Sequence, residues 1–186
     1  MTDSVVRAFI TAKEMLSDRG IDTSRLDSFS EVEIDKMSKT NAIFSFTVSE
    51  SLILMFYMNS KFKINDMRRY LKLDNTRYII IFKERINNLN MRNLKEHMPG
   101  VEIFSLSEMM FNVSRHAYVP KHEIVSDPEE VAAVMTNYNI KQMAQFPVIL
   151  RTDAMSKYLD IKIGDLVRIT RPSVSAGESI VYRICA

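Results

Sequence analysis

The chain has 186 residues, 46% of them hydrophobic and 26% charged, which is enough for one large domain or two small ones and too apolar for a disordered tail. Its formal net charge of +2 gives no global attraction to nucleic acid or to an anionic membrane. A single cysteine, Cys185, beside 13 methionines excludes a disulfide framework and points to a reducing compartment.

The opening MTDSVVRAFI lacks a basic segment followed by an apolar core, so no secretory signal is expected. From Asp3 to Arg19 apolar residues recur at helical spacing (Val5, Val6, Phe9, Ile10, Ala12, Met15, Leu16), and Gly20 supplies a stop. A polar connection then leads to three strand-like runs, Ala42 to Val48, Leu52 to Met58 and Tyr78 to Phe82. The middle run is the longest apolar stretch and falls far short of the roughly 18 residues that span a bilayer, so a soluble, intracellular protein is expected. Between the last two runs, Ile64, Met67, Tyr70 and Leu71 share one helical face. A further helix is expected over Asn90 to His97, then a Pro99-Gly100 turn, the strand VEIF and a short helix near Ser107 to Phe111. Strands alternating with helices imply an α/β layer with a covered sheet, in a first domain spanning residues 1–112.

The second domain, residues 113–186, opens with the extended, proline-marked YVPKHEIVS. In SDPEEVAAVMTNYNI, Ser126 and Glu129 have the spacing of a capping box, and Pro128 sits in the first helical turn. Val131, Val134, Met135 and Tyr138 form the stripe expected to be buried. A short helix, DAMSKYL, precedes a turn at Gly164 and a closing hairpin. In that hairpin Val167 and Ile169 alternate with Arg168 and Thr170, and Ile180, Tyr182 and Ile184 alternate with Val181 and Arg183, so each strand is expected to turn one face to the core.

Charge is unevenly placed. Residues 1–35 hold four Lys/Arg against eight Asp/Glu, 4 minus 8, or minus 4, whereas residues 61–95 hold ten against three, 10 minus 3, or plus 7. A basic middle of this kind fits either a solvated helix face or a surface meeting a phosphate backbone.

The motifs of common chemistries are missing. The sequence holds no phosphate-binding glycine loop and no nucleophile elbow. Three histidines (His97, His116, His122) without a thiol partner make a poor zinc set, so neither metal nor cofactor is expected. Ser173 and Ser175 beside Gly177 could imitate an anion-binding turn, but the loop joins two strands and opens no helix. Cys185 has no base assignable to it. The residues thus favour an interaction protein over an enzyme.

The second half closely resembles a known family. HAYVPKHEIVS, then FPVIL and DAMSKYLDIKIGDLVRITRPS, then AGESIVYRI are similar to the C-terminal assembly module of the fifth-largest subunit of eukaryotic nuclear DNA-directed RNA polymerases, a module with a counterpart in archaeal polymerases. Residues matching the family pattern in order are His116, Val119, Pro120, His122, Glu129, Glu130, Val131, Pro147, Asp153, Tyr158, Gly164, Arg171, Pro172, Ser173, Ala176, Gly177, Tyr182 and Arg183. Three departures stand out. Phe146-Pro147-Val148 replaces Leu-Pro-Arg, Asp153-Ala154 replaces Asp-Pro, and Leu159-Asp160 stands where a glycine usually follows Phe or Leu.

The first half is similar in outline only. Asp18-Arg19-Gly20 looks like the family's DRG, and the element order fits its jaw domain, which has a restriction-endonuclease-like core and is lacking in archaea. The resemblance implies a eukaryotic source or a virus infecting one, and hence the nucleus, or a viral factory or virion. It also implies a non-catalytic polymerase subunit that docks on the largest subunit and forms part of the lower jaw near downstream duplex DNA, with no membrane partner. The partner-binding residues implied are His116, Pro120, His122, Pro147, Asp153, Arg171, Ser173, Gly177, Tyr182 and Arg183. The family's Thr-Pro-Ser-Ala loop near DNA corresponds to Asn87 to Asn90 without its proline, leaving Lys83, Arg85 and Arg92 to neutralise phosphates. Two alternatives are a polymerase-associated regulator that reuses the assembly module and a metal-dependent nuclease on the jaw. The nuclease lacks a Glu two residues before Lys61 or Lys63, and Glu50 alone cannot hold an ion.

Overall fold

In the computed structural model, which describes residues 2–63, 66–67, 76–98 and 100–186, the chain divides into two units, Met1–Phe111 and Asn112–Ala186. The first opens with helix α1 (Thr2–Asp18), which buries Val5, Val6, Phe9, Ala12, Met15 and Leu16. Ile10, expected in the same stripe, is 41% exposed because the helical period turns it past the edge of the buried face. Gly20 ends the helix at φ +73°. Its N–H reaches the Ser17 carbonyl at 2.9 Å while that of Ile21 reaches Leu16 at 3.0 Å, a Schellman closure that needs the left-handed conformation.

The polar connection holds a helix that hydrophobic spacing alone misses, α2 (Glu31–Thr40). It starts at a capping box, with Ser30 Oγ accepting from the Glu33 N–H and the Glu33 carboxylate accepting from the Ser30 N–H. Strands β1 (Ile43–Ser49), β2 (Leu52–Tyr57), β3 (Arg77–Phe82) and β4 (Glu102–Ser105) form one sheet in that order. The β1–β2 pair is antiparallel, and the β2–β3 and β3–β4 pairs are parallel.

Strand β2 is buried on both faces, as its unbroken apolar run requires. One face packs Phe44, Phe46 and Phe56 beneath Phe9 and Phe29, with ring centroids 4.8 Å apart for Phe9–Phe46 and for Phe29–Phe46. The other joins Ile53, Met55, Tyr57, Tyr78, Ile80 and Phe82 to Leu94 of helix α3 (Asn88–His97), and to Met67 and Met98. Helix α3 begins two residues before the expected Asn90, because the Asn87 side chain caps it by accepting from the Asn90 N–H at 2.8 Å. The expected helix over Ile64 to Leu71 lies largely outside the described residues, as does Pro99 of the expected turn. The helix expected near Ser107 to Phe111 is a single 3₁₀ turn, Leu106–Met109. Glu102 accepts from Arg19 at 2.8 Å and from Arg77 at 3.1 Å, which ties the end of α1 to β3 and β4; the Arg19–Glu102 pair is largely desolvated, whereas Arg77 is half exposed.

The second unit is a four-stranded sheet of order β5-β7-β8-β6, with strands β5 (Lys121–Val125), β6 (Val148–Ile149), β7 (Leu166–Ser173) and β8 (Gly177–Cys185). Helices α4 (Pro128–Asn137) and α5 (Ala154–Tyr158) complete it. The hairpin uses both of its faces, not one. Val125, Val134, Phe146 and Leu166 pack with Tyr182 and Ile184 on one side, while Ile149, Ile161, Val167, Ile169 and Cys185 pack on the other. A second layer on each side is what makes this possible. Helix α4 starts at Asp127, whose Oδ1 accepts from the Glu129 N–H at 3.1 Å, so the expected Ser126 capping box does not form. Pro128 occupies the first turn as expected. Tyr138, expected to be buried, falls beyond the last helical turn and is 54% exposed.

Candidate docking surface

Strand register sorts the ten sequence-derived partner residues of the second unit into separate places. Lys121 pairs with Thr170 and Val125 with Leu166, so β5 runs beside the first half of β7 and enters it level with Thr170. Pro120, just before the Lys121–Thr170 pair, and His122, opposite Ile169, therefore lie on the strand next to the one that carries Arg171 and Ser173, whereas His116 follows the 3₁₀ turn Val113–Arg115, which packs against α5. The His122 imidazole lies 2.8 Å from the Pro120 carbonyl through Nδ1, which fixes Nδ1 as the proton donor. His116 is arranged the opposite way: its Nδ1 accepts from the Tyr118 backbone N–H at 3.3 Å, and its ring centroid is 5.8 Å from that of Tyr118. Gly177 holds φ +73° opposite Ser173, whose Oγ accepts from the Ala176 N–H at 3.3 Å.

Pro147, Asp153 and Arg183 gather at the end of the sheet away from the hairpin turn. The Pro147 carbonyl accepts from the Ile184 N–H at 2.9 Å, and Arg183 donates to the Val148 carbonyl at 2.9 Å. Asp153 caps α5 by accepting from the Met155 N–H at 2.9 Å. Tyr182 belongs to neither end: it faces α4, edge-on to Tyr138 at 5.6 Å. Pro147, Asp153 and Arg183 thus make hydrogen bonds within the unit and Tyr182 packs on α4, while Pro147 and Asp153, like His116 and Arg171, are also exposed.

Two features escaped sequence reasoning. Arg168 lies opposite both Tyr182 and Glu123 in register, and it joins β5 to α4 by donating to Glu123 at 3.2 Å and to Glu130 at 2.7 Å. A hydrogen bond from Lys121, then that from Arg168, holds the Glu123 carboxyl below its usual range, while the bond to Glu123 raises Arg168. The second is a pair of exposed apolar side chains, Tyr118 in the segment before β5, 92% exposed, and Val174 in the hairpin turn, fully so. The signal for these was available, since a valine inside the polar turn SVSAG has no partner along its own strand. Burial raises the Cys185 thiol, which sits against the Ile161 carbonyl; a nucleophilic role is therefore unsupported.

In the first unit, the Tyr57 hydroxyl donates to the Lys61 carbonyl at 3.0 Å and accepts from the Lys63 N–H at 3.1 Å. The Tyr57 carbonyl accepts from the Lys83 N–H at 2.9 Å. Lys61, Lys63, Lys83 and Arg85 thereby collect at the carboxyl ends of β2 and β3, with Arg92 exposed on the α3 that follows. Glu50 sits at the opposite end of the six-residue β2, about 20 Å away by strand rise, so it and Lys61 share no site. Among the described residues no cluster of three His, Cys, Asp or Glu is placed to hold a metal ion.

The second unit thus presents an exposed hairpin turn that carries Arg171, Val174 and Gly177. Residues 111–185 match the family described as RNA polymerase Rpb5, C-terminal domain. Relatives extend the likeness upstream. The DNA-directed RNA polymerases I, II, and III subunit rpabc1 of Dictyostelium discoideum is 29% identical over 145 residues, covering 74% of this chain and 73% of that protein. Subunit RPABC1 of Caenorhabditis elegans is 33% identical over 102 residues, covering 55% of this chain and 44% of its own length. The DNA-directed RNA polymerases IV and V subunit 5B of Arabidopsis thaliana is 24% identical over 188 residues, covering 93% and 85%.

Proposed function

We propose that the protein is a non-catalytic subunit of a multisubunit DNA-directed RNA polymerase, with residues 113–186 as its assembly domain and residues 1–112 as its jaw domain. The observation that carries this reading is the family match over residues 111–185, within which the hairpin end keeps Arg171, Ser173 and Gly177. On this reading the hairpin end docks on the largest subunit, together with His116, Pro120 and His122. The jaw has a restriction-endonuclease-like core without an active site, a reading supported by its mixed four-stranded sheet with helices on both faces. It turns Lys83, Arg85 and Arg92 toward downstream duplex DNA, which they meet as phosphate neutralisers. The named relatives are subunits of eukaryotic polymerases, which supports a nuclear location.

The test is affinity purification of the tagged chain from its own cells. Stoichiometric recovery with the two large polymerase subunits is expected. Substoichiometric recovery would favour a regulator that reuses the module, and recovery of neither large subunit would sink the proposal.

A further inference from the structure

The two sheets leave four edges, and three of them are built against pairing. Strand β4 has four residues, with Glu102 tied to Arg19 and Arg77. Strand β5 follows Pro120 and carries Lys121 and Glu123, and β6 has two residues following Pro147. Charges, prolines and shortness are the usual means of blunting an edge. Strand β1 has none of them: IFSFTVS runs for seven residues without a charge or a proline. Among the described residues no strand lies on its outer side.

The ladder shows which backbone groups face outward. The Met58 N–H donates to the Ala42 carbonyl at 2.6 Å, and Ile43 pairs with Tyr57, so 42/58 is a hydrogen-bonded pair. In an antiparallel ladder such pairs alternate, which makes 44/56 and 46/54 hydrogen-bonded as well. The N–H and C=O groups of Ile43, Ser45 and Thr47 then point away from β2. The side chains of Ser45 and Thr47 are exposed, and the register shift of this strand begins only after Thr47.

We propose that β1 is a strand-addition edge whose occupant is β1 of a second copy of this chain, antiparallel about a two-fold axis at Ser45. That register sets Ser45 against Ser45 and Ile43 against Thr47 in both directions, joining all six outward groups. Phe44 of each copy then lies beside Phe46 of the other at the intervening non-hydrogen-bonded pairs, a favourable cross-strand combination. Charge supports a second copy over an arbitrary strand. Exposed Glu50 follows the strand, while exposed Lys36, and Lys39 in an ion pair with Asp35 at 2.7 Å, stand toward the end of α2 just before it. Antiparallel pairing brings each Glu50 toward the lysine-bearing end of the other copy, twice per dimer. The isologous contact closes at two chains because the far edge, β4, is the guarded one.

The test uses the full chain. Sedimentation at rising concentration, to about 1 mM so that weak association is reached, should show the mass doubling. Amide exchange at Ile43, Ser45 and Thr47 should slow in parallel. Ser45→Pro removes an outward N–H and leaves the β1–β2 ladder whole, so it should weaken association at least tenfold. Ser45→Lys should do the same and serves if the proline variant misfolds. Glu50→Lys should weaken the dimer, and adding Lys36→Glu and Lys39→Glu to it should restore it. A single-chain mass at every concentration would overturn the proposal, as would association that survives both Ser45 variants.

Discussion

At the residue scale, the positions that decide local geometry are those held at positive φ. Asp160 is the informative one, at φ +53°. It closes α5 by the same Schellman pattern as Gly20: its N–H reaches Lys157 at 3.3 Å and that of Ile161 reaches Ser156 at 2.9 Å. The family resemblance places a glycine here, and the backbone explains why, since an L-residue in this region costs roughly 1–2 kcal/mol that glycine avoids. Asp160 offsets part of that cost through its ion pair with Lys162 at 2.5 Å. Asp160→Gly is therefore expected to raise unfolding free energy by about 0.5–1 kcal/mol despite losing the pair, read as an increase in the denaturation midpoint at unchanged m-value. A decrease would mean that the ion pair outweighs the backbone. The site was legible as a departure from a pattern, but its physical meaning needed the backbone dihedral.

At the element scale, strands were easier to read than helix starts. Continuous or alternating apolar runs mark strands directly, and Ala42 to Val48, Leu52 to Met58 and Tyr78 to Phe82 lie within a residue of β1, β2 and β3. Helix α2 was missed because a single buried residue, Ile34, anchors it, which leaves no apolar stripe to see; the Ser30–Glu33 box was its one signal. The opposite error occurred at α4, where Ser126 and Glu129 have the right spacing but Asp127 wins. With Pro128 fixing φ at N1, the residue immediately before it takes the extended cap conformation, and at Asp127 the observed φ and ψ are −77° and 119°. The two readings separate cleanly by substitution. Asp127→Ala should cost about 1 kcal/mol, whereas Ser126→Ala should stay within about 0.5 kcal/mol of the parent in thermal or denaturant unfolding. Reversed magnitudes would restore the capping box.

At the scale of the whole molecule, function was legible wherever residue identity carries it and obscure wherever only shape does. The family likeness of the second unit announced itself through an ordered set of residues from His116 to Arg183. The first unit did not, because a covered sheet can be built from many apolar combinations, and its basic residues form a distribution of charge rather than a motif. That distribution makes a quantitative expectation. If Lys83, Arg85 and Arg92 neutralise phosphates, each contributes to counterion release on duplex DNA. The logarithm of the binding constant should then fall against the logarithm of salt concentration with a slope of about −3 from these three alone, at roughly −0.9 per neutralised phosphate. Replacing all three with glutamine should make the slope shallower by that amount and weaken binding about equally on unrelated sequences, since phosphate contacts carry no sequence information. Recovery of the variant with the large polymerase subunits should be unchanged, because these residues lie outside the assembly domain. An unchanged slope would remove the jaw cations from DNA contact and leave the assembly reading standing. Loss of co-purification together with the slope would instead show that the basic end of β2 and β3 is itself a protein-docking surface.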